Sequence, residues 1–168
     1  MPRRSLVVCH TLELIALAIW IGGLVVIVAV VIPAVFNSFG MEPGGRFVTR
    51  VFDGYNRVTV AAIAVLIVCS AARVWKEFDG SWRSSVTRVE SLLLVMMIVL
   101  AVAIIAGMGP HTVALQEQAF AAKDEADKKQ AYDAFFRAHM LVRILYLANL
   151  GLGVALVATK VRRWVGRS

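Results

Sequence analysis

The sequence predicts an all-α integral membrane protein: a four-helix bundle with both termini on the cytoplasmic side and its helices extended on the outer side. Three observations predict it. The composition is too apolar for a soluble core, the apolar residues fall into four blocks of membrane-spanning length, and the basic residues gather on one side. Of 168 residues, 60% are hydrophobic and 17% charged, and the mean hydropathy is +0.76. A soluble domain has roughly a quarter of its residues charged and under half apolar. The length is that of a single domain covering the whole chain.

The spans fall at about 6–32, 56–76, 90–109 and 138–160. Each comes close to or exceeds the roughly 20 helical residues that cross a hydrocarbon core. None alternates like a strand, and a span must satisfy its own backbone, so helix is the fitting conformation. The first block follows Arg3 and Arg4 but is too long for a signal peptide, and no small-residue cleavage site follows it. The second is the shortest and is completed by Arg73, Val74 and Trp75, whose cation and indole suit the interface. Before it, Phe47, Val51 and Tyr55 share a stripe with Val48 and Phe52, while Arg46, Arg50 and Asp53 face elsewhere. This predicts an amphipathic helix over 44–57 running into the second span, with residues 41–45 (Met-Glu-Pro-Gly-Gly) as the break before it. Residues 77–90 read as a short link, with turn signals at Asp79-Gly80 and Ser84-Ser85. Residues 111–138 have high helix propensity. They predict that the third and fourth helices project beyond the bilayer and join near 122–129.

Orientation follows from charge. With the N-terminus inside, the cytoplasmic segments carry Arg3, Arg4, Arg73, Lys76, Arg83, Arg88, Lys160, Arg162, Arg163 and Arg167 against Glu77, Asp79 and Glu90. The outer segments balance their cations with about as many acids. This agrees with the positive-inside rule, so the net charge of +7 reads as topology. No nucleic-acid partner is expected.

Chemistry on this chain rests on few groups. No P-loop, GxGxxG, HExxH or GxSxG motif occurs, and no catalytic residue or metal cluster is assigned. Cys9 and Cys69 lie in separate spans and read as packing residues. Gly22-Gly23 and Gly151-x-Gly153 read as points of close helix approach. Ionisable groups at membrane depth are costly and often functional. His10 and Glu13 share a face with Leu17 near the inner interface, where Glu13 can pair with Arg73 or Lys160. His139, Arg143 and Tyr146 share a face of the fourth helix, and Asn149 lies about 60° away. Arg143 falls in the outer third of the span, so it is expected to face inward, with Glu117 or Asp53 as partner. His111 follows Gly109-Pro110 and could sit level with His139. Two neutral imidazoles at one level could hold a metal or haem iron, so His10, His111 and His139 are the candidate cofactor-binding residues.

Residues 14–36, LIALAIWIGGLVVIVAVVIPAVF, resemble the first helix of a small bacterial family of uncharacterised four-helix membrane proteins. That family is related to a eukaryotic transmembrane protein linked to platinum-drug resistance. The resemblance rests on W-x-G-G (Trp20, Gly22, Gly23) and on a helix-ending Pro-Ala-x-Phe (Pro33, Ala34, Phe36). It rests also on Gly45-Arg46-Phe47, on Pro110 ending the third span, and on Phe135 to His139 entering the fourth. It implies the fold, since the family has no established reaction. His10 before Trp20 is also similar to the copper-resistance protein D family and to the haem-containing bacterial protoporphyrinogen oxidase, whose first-helix histidine ligates haem. This chain has neither the Met and His clusters of copper handling nor a lysine in the third span to match that oxidase.

The absence of a catalytic constellation points to a non-enzymatic accessory, structural or assembly subunit of a bacterial cytoplasmic (inner) membrane. Its partners would be lipid and other membrane subunits or a second copy, with no cofactor. The alternatives are a b-type haem or copper protein, and a small transporter or stress-tolerance factor.

Overall fold

A computed structural model describes residues 3–78 and 87–165. They form four antiparallel helices, with no strand among the described residues. Helix α1 covers 3–39, α2 Met41–Phe78, α3 88–121 and α4 Glu125–Val165. Each contains a stretch long and apolar enough to cross a membrane: Val7–Phe39, Met41–Trp75, Arg88–Ala121 and Glu125–Arg163. Helix α4 has 41 residues, or about 60 Å at 1.5 Å per residue, twice the hydrocarbon thickness. It therefore projects well past its apolar part, as does α3, in agreement with the helix propensity of 111–138. The two join through 122–124, inside the expected stretch.

The break before α2 is shorter than the sequence implies. Only Gly40 interrupts the chain, with φ of +74°, a left-handed conformation that glycine adopts without a Cβ clash. The helix restarts at Met41, and Gly44 N–H donates to Gly40 O at 3.2 Å. Pro43 sits in the first turn, where its missing N–H costs nothing. Residues 41–45 are therefore helix. The turn signals at Asp79-Gly80 and Ser84-Ser85 lie outside the described residues.

Pro33 and Pro110 do not end their helices either. Each follows a π-helical turn, Ile27–Val31 in α1 and Ala103–Met108 in α3. There Ile32 N–H donates to Ile27 O, and Gly109 N–H to Ile104 O, both five residues back. A proline removes one i→i−4 bond and pushes its ring at that carbonyl. Inserting one residue into the turn relieves both, and the helix continues. Gly109 is required for this, since a Cβ there would lie 2.8 Å from Ile104 O.

Helix α1 packs against α2 and α4, and α3 packs against α4. The core joins Leu17, Trp20 and Leu24 of α1 to Tyr55, Ala62 and Leu66 of α2, Met97 and Ala101 of α3, and Leu156 of α4. Two of the four flagged glycines mark close approach. A Cβ on Gly23 would meet the Tyr55 ring at 3.2 Å, and one on Gly153 would meet Ile21 at 2.8 Å. Gly22 and Gly151 face open space instead. Consecutive and alternate positions on a helix cannot share one face.

Candidate functional site

At the end of the bundle that carries both termini, every helix contributes a charge to one buried cluster. Glu13 comes from α1, Arg73 from α2, Glu90 from α3, and Lys160 and Arg163 from α4. Glu90 is the hub. Its Oε1 accepts from Arg73 Nη2 at 2.8 Å and from Lys160 Nζ, and its Oε2 accepts from Arg163 Nη1 at 2.8 Å. Lys160 Nζ also donates to Glu13 Oε2 at 2.7 Å. Glu13 Oε1 lies 3.1 Å from Arg73 Nη2 as an ion pair without hydrogen-bond geometry. Half-buried His10 places Nδ1 3.4 Å from Arg73 Nη1 and 3.8 Å from Glu13 Oε2. Glu13, Arg73, Glu90 and Lys160 are each at most 6% exposed.

Local sequence explains how the hub is held. Thr87 caps α3, its Oγ1 accepting from Glu90 N–H at 3.2 Å, so Glu90 lies in the first turn of a helix whose N-terminal dipole favours a carboxylate. The Thr87-x-x-Glu90 spacing of a capping box was the signal for this in the sequence. Lys160 and Arg163 are three residues apart and so leave α4 on one face. Three cations meet two carboxylates, and their charge-assisted hydrogen bonds run between helices. Such an arrangement fastens helices together, because isolating any one member would leave a charge buried without a partner.

A second polar layer lies deeper along the bundle. Tyr55 Oη donates to Trp20 O at 2.8 Å, Tyr146 Oη to Asn56 Oδ1 at 3.1 Å, and Asn149 Nδ2 to Met97 O at 3.0 Å. Trp20, Tyr55, Asn56, Thr59, Tyr146 and Asn149 line a small crevice walled by all four helices. Beyond it, at the end opposite the termini, the extended helices pack through Gln116 Nε2 to Thr49 Oγ1 at 3.4 Å, and Arg46 meets Glu117 at 3.0 Å.

The candidates named from sequence are dispersed. Glu13 meets both Arg73 and Lys160, the partners its position allowed. Tyr146 and Asn149 turn into the second layer. His111 and His139 are exposed, and His139 stacks on Phe135 with ring centroids 5.5 Å apart. Arg143 requires a correction. Neither it nor His139 joins Tyr146 in the interior, and Glu117 pairs with Arg46 instead. Arg143 is exposed and makes no hydrogen bond or ion pair among the described residues. The reason is depth. Arg143 lies 17 residues from Lys160, roughly 25 Å along the axis, near the far boundary of a layer about 30 Å thick. A long side chain there extends to the interface and needs no internal partner. Cys9 and Cys69 are free thiols that neighbour each other where α1 meets α2. Among the described residues, no three or more His, Cys, Asp or Glu side chains gather as metal ligands.

Four apolar helices fastened by internal polar layers define a multi-pass integral membrane protein. Residues 15–121 match the family described as Domain of unknown function (DUF4149). That is more than half of the chain, and the protein belongs to this family. The match includes Arg73 and Glu90 but ends before α4, which supplies Lys160 and Arg163. No curated protein and no solved structure matches the chain.

Proposed function

We propose that this chain is a non-enzymatic subunit of a bacterial inner membrane. It would act by packing against other membrane proteins or a second copy, with its termini in the cytoplasm. The observation that carries this reading is the outward stripe of α4. Phe136, Met140, Arg143, Ile144 and Leu147 follow one another at helical spacing, and all are exposed. Aromatic residues, Met and Arg are the types enriched where proteins meet. Arg143 forms no ion pair among the described residues, and a carboxylate from a neighbouring protein would complete it. The excess of cations at the end carrying the termini supports the orientation. The likeness of the Trp20-x-Gly22-Gly23 helix to uncharacterised four-helix bacterial proteins fits the same setting.

A photo-crosslinking residue at Ile144, placed in living membranes, tests this directly. The reading expects one discrete protein adduct, absent from a control at Val99 and lost in Arg143→Leu. Lipid adducts alone at Ile144, as at Val99, would contradict it.

A further inference from the structure

We propose that the mid-span crevice is a binding site for a single water molecule, held by the Thr59 hydroxyl and the carboxamides of Asn56 and Asn149. The first argument is Thr59 itself. It is 2% exposed, and its Oγ1 makes no hydrogen bond of normal geometry, the neighbouring Tyr55 hydroxyl giving its proton to Trp20 O. Helical threonines normally settle this by donating to the carbonyl four residues back. Thr49, Thr112 and Thr159 do so in this chain, to Gly45 O, Met108 O and Ala155 O at 2.7–3.0 Å. Thr59 forgoes the equivalent bond and lines the crevice instead. A buried hydroxyl left unpaired bears its whole desolvation cost, so natural structures nearly always supply a partner.

The lining specifies the guest. Asn149 uses Nδ2 on Met97 O and keeps Oδ1 as an acceptor, while Asn56 uses Oδ1 on Tyr146 and keeps Nδ2 as a donor. Tyr55 Oη, donating to Trp20 O, can still accept. Donors and acceptors of both kinds converge with no ionised side chain among them, which selects a neutral molecule that can both give and take hydrogen bonds. The crevice has space for about one water, and such a site needs two to four polar partners. Its depth makes the site consequential. Asn149 lies 11 residues from Lys160, about 16 Å along α4 and near the middle of the hydrocarbon layer. The π-helical turn of α3 forms part of the wall through Ile104 and Ile105. Such turns are frequent at functional sites.

The test uses the full chain in lipid nanodiscs, with Thr59→Val and Thr59→Ser. Valine keeps the shape of threonine and removes its hydroxyl, whereas serine keeps the hydroxyl. If a water is bound, solid-state NMR with deuterated lipid shows magnetisation transfer from water to Thr59, retained by Ser and lost in Val. The Tm of Thr59→Val then falls by about 2–4 °C, the shift that one lost net hydrogen bond gives in a chain of this size. If the crevice is dry, no transfer is seen and Thr59→Val raises Tm by removing an unpaired hydroxyl. That pair of results would overturn the proposal.

Discussion

Lys160 Nζ lies 2.7 Å from Glu13 Oε2, across 147 residues of sequence, and joins the last helix to the first. The same ammonium reaches Glu90 on the third helix, and Glu90 in turn holds Arg73 of the second. The contact therefore closes a circuit through all four helices, at the end of the bundle where the chain begins and ends.

Glu90 should be the most sensitive member of that circuit. Glu90→Ala removes the carboxylate shared by Arg73, Lys160 and Arg163, leaves Glu13 as the one acid of the cluster, and should destabilise the protein by about 3–5 kcal/mol. Breaking the exposed Arg46–Glu117 pair by Glu117→Ala should cost less than about 1 kcal/mol. Thermal unfolding of both variants in the same nanodiscs gives the comparison, and equal losses would count against the hub.

Two glycines of one helix should respond oppositely to size. Gly153→Leu must displace Ile21 and Met97, and overpacking of this kind costs about 1–3 kcal/mol. Gly151→Leu enters open space and should leave Tm within a degree or two of wild type. A matched unfolding series reads the difference.

Much of the fold was legible because burial in lipid writes itself into composition. The four spans, the projecting third and fourth helices and the pairing of Glu13 could all be read from residue type and spacing. What escaped the reading was tertiary. Arg73 and Lys160 were legible only as alternative partners of Glu13, and Glu90 and Arg163 looked like ordinary topology charges, since each lies beside a helix end and nothing local says that four ends converge. Arg143 looked interior because its depth was judged from one helix alone, whereas the level of Lys160 fixes it near the boundary. Pro33 and Pro110 looked like stops because a π-helical turn has no clear signature in sequence.

The π-helical turns make their own prediction. Gly109→Ala places a Cβ against Ile104 O at 2.8 Å and should destabilise by about 1–3 kcal/mol. Pro110→Ala removes the reason for the wide turn. In Pro110→Ala the amides of this segment should move toward ordinary i→i−4 bonding, visible as changed backbone shifts over residues 103–109. Unchanged shifts would mean that the proline does not set the turn.

Orientation is checked by reporter fusions after Asp79 and after Ser168, expected in the cytoplasm, and by one near Lys128, expected outside. A cytoplasmic signal at Lys128 would reverse the topology.

The central claim is that buried charges bind the four helices to one another, and a double-mutant cycle on Glu13 and Lys160 tests it most directly. Glu13→Gln, Lys160→Met and the pair are unfolded reversibly in nanodiscs, and the coupling is taken from the four stabilities. The account predicts that each single change costs several kcal/mol and that the double change costs clearly less than their sum, with a coupling of about 1–3 kcal/mol. Additive losses, with no coupling between the two sites, would contradict it.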